Sequence, residues 1–357
     1  MPFGLYLHIP YCAAKCRYCD FYSPGGSDGV PGAYIDRMEA ELAARLPGRP
    51  STLYFGGGTP GLLTPAQVSR LIRAASPLPG AEITLETNPE LVSPQKLSGY
   101  RQAGVNRLSI GVQTARDETL ALLGRRHTAQ TARLALRQAR QAGFENLCGD
   151  IMLALPHYSR AEFDATLDLI AGEGASHISA YLLKIEPGTV FGRRPPQGLP
   201  DGDEAADFYL YAVEQLEKAG YAQYEISNFA RPGFMGRHNL IYWDCGDYLG
   251  LGPSAHSCMG GRRFSFPPDR AAFLAGNLPE KEEGSCAWED YVLLRLRLRA
   301  GLNLKALKER YGFAFDPAKL AFMKQLAASG YACFDGETLA LTPAGLLVQN
   351  AILTELL

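Results

Sequence analysis

The chain has 357 residues, 46% of them hydrophobic and 20% charged, with a formal net charge of −2. That length admits one large α/β domain plus an appendage, the composition is that of a soluble globular protein, and the near-neutral balance carries no general signal for binding polyanions. No apolar run is as long as a membrane span, and the opening residues lack the basic-then-apolar pattern of a secretory leader, so a cytoplasmic location is expected. Eight cysteines without regular pairing, three of them clustered, fit a reducing compartment better than a disulfide framework. Cys148, Cys245, Cys258, Cys286 and Cys333 are expected to be scattered core thiols.

Leu5 to Ile9 reads as a first strand, followed by the cysteine cluster and a flexible Pro/Gly connector from Pro24 to Gly32. Helical periodicity from Tyr34 to Leu46 precedes the strand Leu53–Phe55. The alternation then repeats: helix Pro65–Ser76 and strand Ile83–Glu86, helix Pro94–Ala103 and strand Arg107–Gln113, helix Thr128–Ala142 and strand Asn146–Leu153. Helix Ala161–Glu173 leads to strand His177–Leu183, and helix Glu204–Ala219 to strand Tyr224–Ile226. Strands alternating with helices of this length build βαβ units around a parallel sheet. The expected class is therefore α/β, a partial, open TIM-type (β/α) barrel over residues 1–228 with function at the strands' C-terminal ends. Residues 229–284, rich in Gly, Pro and aromatics, are expected to be irregular loops. Residues 285–357 read as helices Trp288–Leu298, Leu304–Tyr311 and Pro317–Ser329, a hairpin turning at Asp335-Gly336, and a last helix after Pro343, a winged-helix-like C-terminal module.

The chemistry starts at Cys12-Ala-Ala-Lys-Cys16-Arg-Tyr-Cys19, three thiols on one loop at the end of the first strand. Soft thiolates gathered so closely suit an iron–sulfur cluster or zinc. A [4Fe–4S] cube with three protein ligands keeps one iron open for a small molecule, and position 21, where a fourth ligand might have followed, is Phe21. The plainer readings are a zinc site with His8 as fourth ligand, or buried thiols. Downstream, the barrel pattern places polar groups at successive strand ends. Gly56, Gly57 and Gly58 leave room for a ligand's amino group to reach backbone carbonyls. Glu86, Gln113 and Asp150 sit at or within apolar strands, where such groups need partners. Arg125 follows Gly124 at a helix-to-loop junction. Singly, each is more simply a salt bridge or a cap.

The cysteine spacing resembles that of radical S-adenosylmethionine (SAM) proteins, and the chain as a whole resembles their oxygen-independent coproporphyrinogen oxidase group. The matching stretches are Tyr6 to Phe21, Gly56-Gly-Gly-Thr-Pro60, Glu86-Thr-Asn-Pro89, Gly104 to Gln113, Gly124-Arg-Arg-His127, Asp150-Ile-Met152 and Ile185-Glu-Pro-Gly-Thr189. The resemblance implies that Cys12, Cys16 and Cys19 ligate a [4Fe–4S] cluster, whose open iron is chelated by the amino and carboxylate groups of SAM. It further implies that Gly57, Gly58 and Thr59 hold the SAM amino group and Arg125 its carboxylate, a natural guanidinium partner. Gln113 and Asp150 would bond the ribose, Glu86 would lie near the methionine end, and Tyr6 and Tyr18 would border the cluster and adenine.

Within that group the chain is most similar to the heme chaperone branch, through His238-Asn-Leu-Ile-Tyr-Trp243 and the following Gly246-Asp-Tyr-Leu-Gly-Leu-Gly252. The resemblance implies heme binding, with His238 as iron ligand or its immediate partner, Asn239 beside it, and Tyr242 and Trp243 covering the porphyrin. His256 is a second axial candidate. The oxidases of the group carry a further cysteine where this chain has Phe21, and a longer N-terminal arm where it begins almost at its first strand. Leu153-Ala-Leu-Pro-His-Tyr-Ser159 departs from the usual Gly-Leu-Pro-Gly-Gln-Thr, which puts the geometry of that loop in question. The function expected is heme binding and delivery to an acceptor protein that the sequence does not name, with peripheral contact with membrane proteins allowed. The alternative is radical decarboxylation of coproporphyrinogen III. Arg295, Arg297, Arg299, Lys305, Lys308 and Arg310 could also face DNA, but a solvated helical face explains them more simply, and no nucleic-acid partner is expected.

Overall fold

Leu5, Leu7 and Ile9 have no exposed surface, and the strand that carries them, β1 (Gly4–Ile9), is covered on both faces. Such burial belongs to strands in a parallel sheet with helices on its faces. The computed structural model describes residues 3–357. Five further strands follow the same rule: β2 (Thr52–Gly57), β3 (Glu82–Thr87), β4 (Arg107–Gln113), β5 (Asn146–Leu153) and β6 (His177–Leu182). They pair in sequence order and all in parallel, Leu5 opposite Leu53, Leu53 opposite Ile83, Leu85 opposite Leu108 and Ser109 opposite Cys148. The connecting helices start where a side chain can cap them. Thr64 with Gln67 and Asp201 with Glu204 form capping boxes, while Ser93, Thr128 and Ser159 accept from the third residue of their helices.

The sheet stays open, for a reason the sequence pattern did not give. The strand expected at Tyr224–Ile226 is β7 (Ala222–Glu225), and the chain turns straight back into β8 (Asn228–Ala230). It is β8 that pairs with β6, antiparallel, and β7 lies outside it at the sheet's edge.

Residues 229–284 are more regular than expected. A helix spans Arg237–Trp243, and β9 (Tyr248–Leu251) pairs in parallel with β1 on its free side. The antiparallel strands β10 (His256–Met259), β11 (Arg262–Ser265) and β12 (Lys281–Ser285) extend that edge to twelve strands. Residues 288–357 have a core of their own, with Val292, Leu296, Leu302, Leu307, Met323 and Leu339 fully buried. The expected helices and hairpin are there, β14 (Ala332–Phe334) and β15 (Thr338–Leu341) turning at Asp335-Gly336, whose Oδ1 accepts from the amides of Glu337 and Thr338. The short β13 (Leu302–Asn303) completes a three-stranded sheet. No helix among the described residues is long and apolar enough to cross a membrane.

Candidate functional site

Parallel strands deliver alternate side chains to the inner face, and on β4 these are Arg107, Ser109, Gly111 and Gln113. Together with the inner residues of β2, β3, β5 and β6 they line a cavity of about 470 Å³ at the strands' C-terminal ends. The cavity gathers Cys12, Cys16, Cys19, Tyr18, Gly57 to Thr59, Glu86, Gln113, Arg125 and Asp150, and also Asn239, which was expected beside His238 in a separate heme site. Tyr6 is not part of its lining. Its hydroxyl lies 3.1 Å from His8 Nδ1 and its ring stacks on Tyr54 at 6.1 Å.

The cysteine loop is held by its own backbone and by the barrel. Ser27 N–H donates to the Cys12 carbonyl at 3.0 Å, and Arg17 N–H to the Leu123 carbonyl at 3.0 Å. Cys12 Sγ lies 3.2 Å from Thr59 Oγ1, Arg125 Nη1 donates to Cys16 Sγ at 3.7 Å, and burial raises the Cys19 thiol to about 11. The three thiols do not close on one point, nor does any such trio of donors among the described residues. A cube takes each thiolate at a separate iron, so its ligands need not converge, whereas those of a single zinc must. His8 is also committed elsewhere: its second ring nitrogen, Nε2, lies 2.9 Å from the Tyr22 carbonyl. The donor set fits an iron–sulfur cluster.

The remaining wall suits a zwitterion with hydroxyls. Arg125 Nη2 donates to the Gly111 carbonyl at 2.7 Å and Asn88 Oδ1 at 3.0 Å, which aims a guanidinium at the cavity. A Cβ on Gly111 would stand 2.9 Å from that Nη2, so only glycine permits the approach. A Cβ on Gly58 would meet the carbonyls of Tyr11 and Ile9 at 2.7 and 2.8 Å, and glycine keeps this turn against the cysteine loop. Glu86 accepts from Tyr54 Oη at 2.6 Å, and burial lifts its carboxyl to about 7. Asp150 accepts from Ser109 Oγ at 2.9 Å and from Cys148 Sγ at 3.3 Å, with its carboxyl also raised by burial. Gln113 has left-handed backbone, φ 70°, and its Oε1 accepts from Tyr181 Oη at 3.0 Å. Tyr54, Arg107, Ser109, Cys148 and Tyr181 were missed in the sequence. Their signal is parity, since each lies an even number of positions from an inner-face residue of its own strand or register partner.

His238, expected as the heme-iron ligand or its immediate partner, faces inward. It is buried, with Nδ1 2.7 Å from Thr52 Oγ1 and Nε2 2.6 Å from Tyr242 Oη, and its ring stacks on Tyr54 at 5.0 Å. Burial, reinforced by Arg107, lowers it to about 3, so it is neutral with both nitrogens engaged. The helix turns it inward because Glu82 accepts the amides of Arg237 and His238, both at 3.0 Å. Tyr242 is therefore a partner of His238, and Trp243 lies under the Arg297 guanidinium, 4.6 Å from the ring centre. His256 is the exposed member of the pair, with Nδ1 3.1 Å from Glu283 Oε2.

A barrel open on one side, with a three-cysteine loop at its strand ends and a guanidinium-bearing polar cavity beside it, defines the class. The profile of the Radical SAM superfamily matches residues 6–170, and that of the HemN C-terminal domain residues 287–348. The fold is that of Escherichia coli coproporphyrinogen III oxidase HemN, with TM-score 0.82 over 99% of this chain and 89% of that one, at 23% identity. The heme chaperone HemW of Mycobacterium tuberculosis is 36% identical over 100% of this chain and 95% of its own. HemW of Bacillus subtilis is 32% identical over 97% of each, and that of Escherichia coli 42% identical over 75% of this chain and 72% of its own. The chain belongs to the HemW family of radical SAM proteins, a family that implies a [4Fe–4S] cluster and SAM.

Proposed function

We propose that this chain is a heme chaperone, one that binds heme, carries a SAM-liganded [4Fe–4S] cluster on Cys12, Cys16 and Cys19, and passes heme to an acceptor protein. The observation that carries this reading is the likeness to heme chaperones named HemW across nearly the full length of both chains. Residues 1–228 would hold cluster and SAM, residues 229–284 would contribute to the heme site, and residues 285–357 would form the C-terminal module.

A cluster held by Cys12, Cys16 and Cys19 would, when reduced, supply the electron that SAM cleavage requires. The chain's own residues bind and orient. Arg125 pairs with the SAM carboxylate, the backbone of Gly57 and Gly58 with Thr59 receives the amino group, and Gln113 and Asp150 accept from the ribose hydroxyls. Glu86 closes the methionine end, and Tyr18 covers the cluster side. Phe21, 64% exposed, gives the cavity mouth an apolar side chain. With His238 turned inward, the exposed His256 ring is the one of the two histidines that this conformation offers to a heme iron.

Anaerobic reconstitution tests the reading. The protein should hold about four irons and four sulfides per chain, bind heme with a saturable Soret change, and leave coproporphyrinogen III unconverted when reduced with SAM. Steady formation of protoporphyrinogen under those conditions would replace the chaperone reading with the oxidase.

A further inference from the structure

At the end of the cavity remote from the cysteine loop, the strands begin and a helix covers them. Thr52 and Glu82, the first residues of β2 and β3, bond the ring of His238 and the amides of Arg237 and His238, so the helix Arg237–Trp243 lies across this end. Its next residue, Asn239, reaches the cavity, and so does Arg107, the first residue of β4. Arg107 is 4% exposed, and its Nη2 lies 3.6 Å from where a Cβ on Gly236 would stand, just before that helix. Arg107 and Asn239 together mark the floor of the cavity.

A guanidinium taken out of water needs acceptors. Arg107 has none among the described residues: its Nε is buried without a partner, and no hydrogen bond or ion pair reaches the rest of its side chain. The neighbouring acids are engaged elsewhere. Glu82 accepts the two helix amides at 3.0 Å, Glu86 accepts from Tyr54 Oη at 2.6 Å, and Asp150 accepts from Ser109 and Cys148 at 2.9 and 3.3 Å. Arg125, the other arginine of the cavity, is by contrast held by the Gly111 carbonyl and Asn88 Oδ1, beside Cys16. A buried cation that opens on a cavity with no acceptor of its own is arranged for an acceptor that arrives with a ligand.

Charge narrows the class of that ligand. The guanidinium shares the cavity wall with Glu86 and Asp150. A doubly charged phosphate would gain one cation there and face two carboxyl groups, whereas a singly charged planar anion matches the guanidinium fork. We propose that the floor of the cavity is a carboxylate site, in which Arg107 pairs with the carboxylate and the Asn239 amide donates beside it. Two sources could supply the group, a propionate side chain of heme or a small free organic acid. The site itself rests on Arg107, and only the first source rests on the chaperone reading.

Propionate and its neutral counterpart propionamide test the site. Each is titrated anaerobically into the full-length, cluster-loaded protein, with binding read by saturation-transfer NMR of the ligand. Propionate should saturate, and propionamide should bind at least about tenfold more weakly. Arg107→Gln should erase that preference, and Arg125→Ala should keep it. Heme and its dimethyl ester, added to propionate-loaded protein, separate the sources. Displacement by heme and not by the ester assigns the site to a heme propionate, and displacement by both or by neither assigns it to a small free acid. Heme that fails to bind at all removes the chaperone reading and leaves the site to the free acid. Equal binding of propionate and propionamide, no binding of either, or a preference that survives in Arg107→Gln would each overturn the proposal. The first comparison uses the natural sequence, so a variant that misfolds does not remove the test.

Discussion

At the scale of single residues, the cavity wall and the buried histidine make separate predictions. Arg125→Ala removes the cation aimed at a carboxylate and should weaken SAM binding by about 2–5 kcal/mol, measured by anaerobic calorimetry on cluster-loaded protein. Unchanged affinity would take Arg125 out of the SAM site. Glu86 has a folded-state carboxyl raised from 4.5 to about 7, so the fold favours its protonated form. The stability it contributes is present below pH 4.5 and is lost as pH rises through 7. Glu86→Gln should therefore be less stable or equal at pH 4 and more stable at pH 8, read from denaturant midpoints at both. Removal of the His238 ring leaves Thr52 and Tyr242 without a partner and opens a void beside Tyr54. His238→Ala should cost about 2–4 kcal/mol of stability. A His238→Ala protein that binds no heme and yet unfolds at the wild-type midpoint would instead make the histidine a ligand and not a pin.

At the scale of elements, what could be read in the sequence follows from burial. The six parallel strands announce themselves through short, bounded runs between helices, as in β4, where Leu108, Ile110 and Val112 alternate with Arg107, Ser109, Gly111 and Gln113 and the whole run is buried because both faces are covered. The strand β12, Lys-Glu-Glu-Gly-Ser, is exposed throughout and has no apolar residue, so its place in the sheet comes only from backbone pairing with β11. The cysteine loop and Arg125 were legible as residue types and Gln113 as the polar end of β4, whereas Arg107 and Ser109 on the same face were passed over. The inward turn of His238 was not, because its partner Thr52 lies 186 positions earlier. The unusual loop after β5 is a case where sequence and backbone agree. Ala154 and His157 occupy the two positions where the family pattern has glycine, and both are left-handed, with φ 56° and 55°. A side chain there costs about 1–2 kcal/mol, against roughly 0.5–1 kcal/mol for the greater freedom of glycine when unfolded. His157 is exposed, so little packing is lost with its ring. His157→Gly should raise stability by up to about 1 kcal/mol, and a lower melting temperature would show that the ring's packing on Gly198 outweighs the strain.

At the scale of the molecule, the question is whether two cores make one folding unit. The C-terminal core is distinct from that of the barrel, yet Cys245 belongs to it and Ile226 packs against it. Backbone bonds join the parts at the sheet's edge, where Ile226 N–H donates to the Arg297 carbonyl and Arg299 N–H to the Tyr224 carbonyl, both at 3.0 Å. These bonds occupy β7, which would otherwise present an open edge. Arg310 adds bonds to the carbonyls of Asp244 and Cys245, just after the His238 helix. Cys12, Cys16 and Cys19 are remote in sequence from all of this, and no described C-terminal residue lines the cavity. If the edge contacts bind the two cores into one cooperative unit, damage to the second must loosen the first. Leu296 has no exposed surface, and Leu296→Ala should cost about 2–5 kcal/mol. Thermal unfolding of the cluster-loaded variant should then show one transition, shifted down, in which helical signal and cluster absorbance are lost together. Two transitions, with helix lost first and cluster absorbance kept to the wild-type temperature, would show that the module folds on its own and only leans on the barrel.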